Sequence, residues 1–362
     1  MKKFLSLVLV ALMLLSLAAC GSKTAETKTV TPTVNPATAE PKATEAQPAE
    51  EKLEKLTLKA GCTNSLGSAA FQDMEEFNKI LNEVSGGMIE VELFGNSTLG
   101  KTAQLYAQLM DGTLDLMPTG LDTITNLKGS EKCAALSVPY AFNSTEHFRK
   151  FLGSDLEKEL IGEVVAANDN KLVYLGAICL QLPRGLSTGK KAVTTPADLA
   201  GLKIRVPESP IQTAVWKAWG ANPVTISTSE LFSSLEGGIA DGQDNAISSM
   251  LNSSYWEVQK YYTETEYIQQ AQVLFMSAKT WEKLNDTQKG WFTEAVAKAY
   301  EKNTKEMWED YDTTKAKLIE NGLIFVEFDK QAFIDSAKEV LKTLEGKEFA
   351  AGVLEKLQEL DK

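Results

Sequence analysis

Short strand-like segments alternate with amphipathic helical segments from residue 53 onward, and this alternation constrains the fold more than any other feature of the sequence. The first strand is expected over 56–61 and the first helix over 68–85, where apolar residues recur at every third or fourth position. Gly86 and Gly87 end that helix. Further strands are expected at 89–94, 114–117, 171–178, 202–206, 240–245 and 325–328, with helices at 99–112, 144–169, 209–219 and 229–237. This order predicts an α/β fold with largely parallel sheets.

The C-terminal third of the chain is expected to be mostly helical. No proline interrupts residues 286–321, Asn285 or Asp286 can cap the start of a helix, and an Asn-Gly pair can end it. At ~1.5 Å per residue, an unbroken helix of this length would approach ~50 Å and could cross two domains. The alternative is two helices with a bend near Asn303 and Thr304.

Residues 1–20 have the features of an export signal. Lys2 and Lys3 precede an apolar run over 4–19, which is 16 residues long and therefore shorter than the ~20 residues needed to span a bilayer. A cleaved signal peptide is thus favoured over an anchor helix. The segment ends in Leu-Ala-Ala-Cys, which resembles a bacterial lipobox and implies that Cys20 becomes the lipidated first residue of the mature protein. The alternative is an ordinary secretory signal in which this cysteine is incidental.

A low-complexity segment over residues 21–52 follows the signal. Of its 32 residues, 26 are Thr, Pro, Ala, Glu or Lys and none is aromatic, so the segment cannot bury enough apolar surface to fold. We expect a disordered tether that holds the folded part of the chain away from a membrane surface. A cleaved propeptide is the alternative.

The charge balance and the single histidine limit the function. The chain has 37 Lys and Arg residues against 49 Asp and Glu residues, a net charge of −12. This balance argues against nucleic-acid binding, because phosphates require clustered basic side chains. His147 is the only histidine, so metal sites built from several histidines are excluded, and no metal or cofactor is expected. His147 and Arg149 are expected on a solvated helix face. The composition leaves open an enzyme that uses carboxylates alone, as glycosidases do.

Three cysteines remain once Cys20 is set aside. Cys62, Cys133 and Cys179 are widely spaced and form no C-x-x-C motif. At most one disulfide is possible, and buried free thiols are the favoured interpretation.

Only three arginines occur beside 34 lysines, which raises the question of why a guanidinium is needed at each position. Arg205 alternates with apolar residues in a predicted strand that Pro207 ends, so it lies near the carboxyl end of that strand. Ligands bind at this edge of open α/β sheets, and a planar guanidinium matches a carboxylate. The alternative is a structural ion pair between Arg205 and a neighbouring Asp or Glu.

Two further polar residues are candidates for a binding site. Arg184 comes just after another predicted strand, where a surface turn is the alternative interpretation. Asn245 lies where a predicted strand runs into a turn, and its amide could contact a bound carboxylate or hydroxyl group. Asn is also common in turns for backbone reasons, so both interpretations stay open.

Several motifs resemble those of the solute receptors of TRAP transporters, the dicarboxylate-binding periplasmic type. The motifs follow the order of that family over nearly all of residues 53–360. They are G-G-M-I-E-V at 86–91, L-G at 99–100, D-G-T-L-D-L at 111–116, T-P-A-D-L at 195–199, G-L-K-I-R-V-P at 201–207, G-A-N-P at 220–223, S-E-L-F at 229–232, D-G-Q-D-N at 241–245 and E-V-Q-K-Y at 257–261. Asp244 departs from the family's D-G-Q-E-N, which has Glu at this position.

The resemblance implies a two-domain clamshell with a periplasmic-binding-protein-like α/β fold. Domain one would combine 53–181 with 271–310, and domain two would combine 182–270 with 311–362. The long helical segment would then span both domains, in agreement with its length.

The resemblance also implies which residues bind the ligand. Arg205 matches the arginine that pairs with a substrate carboxylate in the family, and Arg184 matches a second arginine that precedes it. Asn245 matches an asparagine that approaches the ligand.

Departures from the family pattern bear on the identity of the ligand. Thr228 stands where the family often has an aromatic residue, and Thr63 or Asn64, after the first strand, is expected to face the cleft. The charged residues that sialic-acid receptors carry in domain one are missing at three positions, which here hold Thr102, Gly120 and Thr123. Sialic acid is therefore disfavoured, and a smaller organic acid remains open.

These implications predict a non-enzymatic, extracytoplasmic receptor that is anchored to the cell membrane by lipid at Cys20. It is expected to capture an organic acid through Arg205, to deliver it to the membrane permease subunits of a TRAP transporter, and to act as a monomer. One alternative is a receptor that feeds a sensor kinase instead of a transporter. Another is an extracellular glycan hydrolase with paired carboxylates.

Overall fold

The computed structural model describes residues 54–362. The expected signal peptide, the expected lipidation site Cys20 and the expected tether over 21–52 lie outside these described residues. Within 54–362, none of the helices combines the length and the apolar character that crossing a membrane requires.

The described residues contain nine strands. In chain order these are β1 (Leu56–Gly61), β2 (Ile89–Phe94), β3 (Leu116–Gly120), β4 (Leu172–Thr188), β5 (Lys203–Val206), β6 (Asn222–Thr225), β7 (Gly242–Asn245), β8 (Tyr261–Ser277) and β9 (Ile324–Phe325). Hydrogen bonds join them in the order β2-β1-β3-β8-β4-β7-β5-β6, and β9 pairs with β8.

Helices connect most of these strands and cover the sheet. They are α1 (Ala69–Val84), α2 (Thr102–Asp111), α3 (Thr145–Phe151), α4 (Asp155–Ala167), α5 (Pro210–Ala218), α6 (Leu231–Glu236), α7 (Ile247–Asn252), α8 (Ala278–Trp281), α9 (Asp286–Glu309), α10 (Tyr311–Glu320), α11 (Lys330–Leu344) and α12 (Val353–Glu359). Short 3₁₀ helices occur at Leu121–Asn126, Cys133–Ser137, Pro196–Leu199, Thr228–Glu230 and Tyr255–Glu257. The mixed α/β class expected from the sequence is confirmed.

Two long antiparallel strands, β4 and β8, form the centre of the sheet. At one end β8 pairs with β3, which leads to β1 and β2. At the other end β4 pairs with β7, which leads to β5 and β6. We call the half built around β1–β3 lobe one and the half built around β5–β7 lobe two. Because both lobes share β4 and β8, the arrangement is consistent with the expected clamshell.

The expectation of largely parallel sheets holds only within each lobe. β1 pairs in parallel with β2 and β3, and β5 pairs in parallel with β6 and β7. The pairings β3–β8, β4–β7 and β4–β8 are antiparallel. The difference arises because β8, which the sequence analysis does not predict, runs between the two parallel sets. Buried polar residues break the apolar alternation in this strand: Thr263, Thr265, Gln269 and Gln272.

The helical segment expected over 286–321 is two helices that together extend from lobe one to lobe two. α9 packs against α1 and β4, and α10 packs against α7, which follows β7. The interruption lies at Asp310 rather than near Asn303 and Thr304. Asn303 and Thr304 instead hydrogen-bond to the backbone of β4, which keeps the helix regular at that point.

The C-terminal helices contact both lobes. α11 packs against α5 of lobe two, whereas α12 covers His147, which lies between β3 and β4 in the chain. Nδ1 of His147 accepts from the Asn143 amide, so Nε2–H donates to the Leu357 oxygen in α12 at 2.7 Å. The solvated position expected for His147 is therefore wrong, because its ring is completely buried by a helix distant in sequence. Arg149 lies at the surface beside Glu146, as expected.

The three cysteines of the described residues are free and buried, in agreement with the favoured interpretation. Burial raises the pKa of Cys62 to about 11 and the pKa of Cys133 to about 12. Both thiols therefore stay protonated at neutral pH and pack as small apolar groups.

Candidate functional site

A cavity of about 190 Å³ lies between the two lobes, where β1, β3, β5 and β7 end. The ligand-binding residues predicted from the sequence all line it: Asn64, Arg184, Arg205, Thr228 and Asn245. So do the positions that differ from sialic-acid receptors: Thr102, Gly120 and Thr123. The carboxyl ends of parallel strands meet at one edge of a sheet, which explains why residues far apart in the chain gather here.

Arg205 presents an unpaired guanidinium to the cavity. The residue is 2% exposed, Nε donates to the backbone oxygen of Ile226 at 2.8 Å, and Nη2 donates to Thr228 Oγ1 at 3.3 Å. None of the ion pairs formed within residues 54–362 includes Arg205. The alternative of a structural ion pair, which the sequence left open, is therefore wrong.

The charge of Arg205 persists in this buried position. Burial lowers the pKa of Arg205 to about 10, which still leaves the guanidinium protonated at neutral pH. A guanidinium has five N–H donors, and the bonds to Ile226 and Thr228 use two of them. Burying a cation with unused donors costs free energy unless an anion compensates it, so the cavity favours an anionic ligand.

Arg184 lies in β4 and, unlike Arg205, already has a counter-ion. Its Nε donates to Asp244 Oδ2 at 2.6 Å, Nη2 donates to the backbone oxygen of Asp244 at 2.7 Å, and Nη1 donates to Gln270 Oε1 at 2.8 Å. Burial alone would lower the pKa of Arg184, but the ion pair with Asp244 raises it above its ordinary value. Tyr267 also donates its hydroxyl to Asp244 Oδ2. The alternative of an arginine in a surface turn is therefore wrong, because Arg184 is buried in an ion pair. Only two of its guanidinium N–H groups remain for a ligand.

The other predicted residues are held by neighbouring groups. Asn245 Nδ2 donates to Gln243 Oε1 at 2.6 Å, and its backbone oxygen accepts from Tyr262 Oη at 2.8 Å. Thr228 accepts from Arg205, and its backbone oxygen accepts from Ser65 Oγ of lobe one at 3.4 Å. The bonds to Gln243 and Arg205 hold the side chains of Asn245 and Thr228 at the cavity wall.

Asp122 is a cavity residue that the sequence analysis missed. It lies in the 3₁₀ helix Leu121–Asn126 that follows β3, between Gly120 and Thr123. Its position just after a strand is the signal that could have identified it, since cavity residues follow the carboxyl ends of strands. Two further charged lining residues, Lys101 and Glu208, were also missed. The missed residues also include neutral hydrogen-bonding side chains: Gln181, Tyr255, Gln270 and Gln272.

The Asp122 carboxylate is oriented by a side chain of the opposite lobe. Its Oδ2 accepts from Nε2 of Gln212, which lies in α5 of lobe two, at 2.8 Å. A Cβ at Gly120 would collide with Asp122 Oδ1, so the missing side chain makes room for this carboxylate. Burial raises the pKa of Asp122 above its ordinary value, while the nearby Arg184 charge opposes that rise.

Direct contacts join the lobes around the cavity. Ser97 Oγ lies 3.2 Å from Ser229 Oγ, and Asn126 Nδ2 donates to the backbone oxygen of Glu208 at 2.5 Å. The Ala103 amide also reaches Glu208 Oε2 at 3.4 Å. The structure therefore corresponds to a closed clamshell. Within residues 54–362, no three His, Cys, Asp or Glu side chains are grouped as metal ligands would be.

The sequence and fold match a known group of proteins. The family described as bacterial extracellular solute-binding protein, family 7, matches residues 60–348 of the chain. A solute-binding protein from Roseobacter denitrificans is 31% identical over 288 residues, which cover 80% of this chain and 86% of the relative.

Two solved structures are similar in both sequence and fold. A TRAP periplasmic solute-binding protein from Roseobacter denitrificans, with bound L-galactonate, is 29% identical with a TM-score of 0.75. The match covers 86% of this chain and 100% of that one. A TRAP periplasmic solute-binding protein from a Polaromonas species, bound to D-erythronate, is 26% identical with a TM-score of 0.76, and the match covers 84% and 98% of the two chains.

Proposed function

The chain belongs to the bacterial extracellular solute-binding proteins of family 7, and from this premise we propose that it is a TRAP transporter receptor that captures an organic acid through its carboxylate. The observation that supports this most directly is Arg205, a buried guanidinium without a counter-ion at the wall of an interlobe cavity. The family is one of solute-binding proteins, and the related structures are TRAP solute-binding proteins, so these comparisons give no support to the glycan hydrolase or to the sensor-kinase receptor. The related structures carry L-galactonate and D-erythronate, both of which are organic acids.

In this proposal the ligand's carboxylate docks on the unused donors of Arg205, and Arg184 and Asn245 contact the bound acid from β4 and β7. A hydrogen bond to a charged group contributes ~1.5–3 kcal/mol. Closure of the lobes excludes water, which strengthens the interaction between the guanidinium and the carboxylate. The ligand binds the closed state better than the open state and therefore shifts the equilibrium toward closure.

The proposal also covers the segments that carry the receptor to its site. Cys20 is lipidated, residues 21–52 tether the folded part to the cell membrane, and the monomeric receptor delivers its ligand to the permease subunits. The hinge lies in the paired strands β4 and β8, which both lobes share. Domain one is formed by 53–181 and 271–310. Domain two is formed by 182–270 and 311–362, and its last helix reaches across to His147.

Replacement of one arginine tests the binding function. Arg205→Lys keeps the positive charge but loses the planar fork, so calorimetry with a panel of organic acids should show affinity reduced by about tenfold or more. Arg149→Lys is the matched control, because Arg149 is exposed beside Glu146 and does not line the cavity. Unchanged affinity in Arg205→Lys would reject the role assigned to this residue.

A second experiment tests the anchor. Cys20→Ser should abolish incorporation of a labelled fatty acid and move the receptor from the membrane fraction to the soluble fraction of the cells. Retention of the variant in the membrane fraction would show that the attachment does not depend on Cys20.

A further inference from the structure

The charged groups around the cavity are unequally compensated. Arg184 is neutralised by Asp244, whereas Arg205 has no carboxylate partner among the described residues. Lys101 also lines the cavity but is exposed to solvent. Glu208 lines the same space and accepts from the Ala103 amide of lobe one at 3.4 Å. Among the buried lining residues, Arg205 is therefore the cation without an ion-paired carboxylate in the described part of the chain, which suits one carboxylate of a ligand.

A negative group stands in the same cavity. Asp122 lines the space from lobe one and is partly exposed. Its side-chain hydrogen-bond partner is the neutral amide of Gln212, which donates to Oδ2. The charges of Arg184 and Arg205 are near enough to favour the charged form of Asp122, but neither arginine forms an ion pair with it. Gly120 leaves the position beside Oδ1 free of a side chain. The carboxylate is thus held in place by a neutral amide, and no cation of the described residues pairs with it directly.

The rest of the lining is rich in neutral hydrogen-bonding groups. Thr119, Gln181, Gln270 and Gln272 surround the space between the two lobes. Hydroxyl and amide groups both donate and accept, which makes them suited to alcohol groups on a ligand. A carboxylate such as Asp122 accepts strongly from an alcohol but repels another carboxylate.

Building on the proposed function, we propose that Asp122 determines specificity by accepting a hydrogen bond from a ligand hydroxyl and rejecting a second carboxylate. The ligand is then a hydroxylated monocarboxylic acid rather than a dicarboxylic acid. Arg205 binds the single carboxylate, and Asp122 accepts a hydrogen bond from a hydroxyl group of the same molecule. A second carboxylate would have to enter beside Asp122, and like charges placed together lower the affinity strongly.

Pairs of ligands that differ in one group provide the test. An aldonate and the aldarate of the same carbon skeleton differ only in a terminal alcohol or carboxylate, and pairs of four to six carbons are available: erythronate and meso-tartrate, galactonate and galactarate, gluconate and glucarate. Calorimetry of the purified protein should show the aldonate of at least one pair bound about tenfold or more tighter than its aldarate. Equal affinity for both members, tighter binding of the aldarate, or binding of neither member of any pair would overturn the proposal.

Asp122→Asn isolates the charge. The amide keeps the shape and can still bond to Gln212, so the preference for the aldonate should shrink by about tenfold through a gain in aldarate affinity. Asp335→Asn, at an exposed residue of α11, is the matched control and should keep the wild-type ratio. If Asp122→Asn still binds the aldonate and the ratio of aldonate to aldarate affinity is unchanged, Asp122 is rejected as the selector. Unchanged affinity in Arg205→Lys would instead reject the proposed carboxylate site on Arg205. If Asp122→Asn does not fold, Gly120→Ala takes its place, because it displaces the carboxylate without removing it. A ratio of aldonate to aldarate affinity that stays at the wild-type value in Gly120→Ala would likewise reject Asp122 as the selector.

Discussion

Arg184 Nε and Asp244 Oδ2 lie 2.6 Å apart, and the two side chains are 7% and 0% exposed. The same guanidinium donates to the backbone oxygen of Asp244 at 2.7 Å, so a two-point contact joins β4 to β7 beside the cavity. This pairing separates the functions of the two buried arginines. Arg184 is held as a neutralised wall residue, while Arg205 keeps a charge available for a ligand.

Removal of Asp244 should destabilise the fold. Asp244→Ala leaves the Arg184 guanidinium buried without its counter-ion, so the free energy of unfolding should fall by about 3–5 kcal/mol. Urea unfolding followed by circular dichroism measures this change. Asp155→Ala is the control, because Asp155 pairs with Lys158 at the surface, where the loss should be small. Similar losses in the two variants would show that the buried pair is not structurally important.

Loss of the Gln212 amide should weaken closure. Gln212 is 1% exposed and donates across the lobes to Asp122, so this bond exists only when the lobes are together. Gln212→Ala should reduce ligand affinity by about tenfold, since a hydrogen bond to a charged acceptor is lost from the closed state alone. Small-angle scattering at subsaturating ligand should show a larger open fraction. Gln331→Ala, which removes an exposed amide beside Asp335, should change neither measurement.

A methyl group at Gly120 should disturb the site without disturbing the fold. Gly120 has φ −67° and ψ 142°, which alanine adopts freely, but its Cβ would collide with Asp122 Oδ1. Gly120→Ala should therefore lower affinity for a hydroxylated acid by about tenfold with little loss of thermal stability. Gly162→Ala in α4 is the control, because a Cβ at that position would meet nothing within 4 Å and alanine favours a helix. Unchanged binding in Gly120→Ala would mean that the position of Asp122 does not matter.

The stability of the protein should depend on pH through Asp73. Burial raises the pKa of Asp73 from 3.8 to about 7, hydrogen bonds from Cys179 and Gln181 oppose the rise, and the charge of Glu306 adds to it. The folded state thus keeps a proton that the unfolded state loses above about pH 4, so this group's contribution to stability falls as pH rises through about 7. In Asp73→Asn the side chain does not titrate, so this dependence on pH is absent.

Unfolding at several pH values checks this expectation. Relative to Asp73→Asn, the wild type should lose up to about 4 kcal/mol between pH 4 and pH 8. Asp312→Asn, at an exposed residue, should follow the wild type over the same range. A constant difference between the wild type and Asp73→Asn across this window would contradict the raised pKa.

Local elements of the fold could be predicted because short-range patterns determine them. The helix expected over 68–85 is α1, with Ser68 as its cap, and apolar spacing places Met74 and Phe77 in the core. The position of Arg205 near the carboxyl end of a short strand also follows from local alternation and from Pro207. Strand β8 could not be found in this way, because its buried polar residues hide the apolar pattern.

Three arrangements depended on partners that are distant in the chain. Asp244 bonds to Arg184 across 60 positions, Gln212 bonds to Asp122 across 90, and Leu357 covers His147 across 210. No local pattern of residues encodes such a partner, because these contacts form only when both lobes and the last helix are packed.

The sequence by itself therefore determined the α/β class, most of the strands and helices, and the gathering of polar residues at the carboxyl ends of strands. Only the tertiary structure decided which of the two buried arginines, Arg184 or Arg205, keeps a free charge. The physical reason is that the charge offered to a ligand depends on the neighbours a side chain has after folding. Asp244 neutralises Arg184, no carboxylate of the described residues reaches Arg205, and Asp122 faces the same cavity.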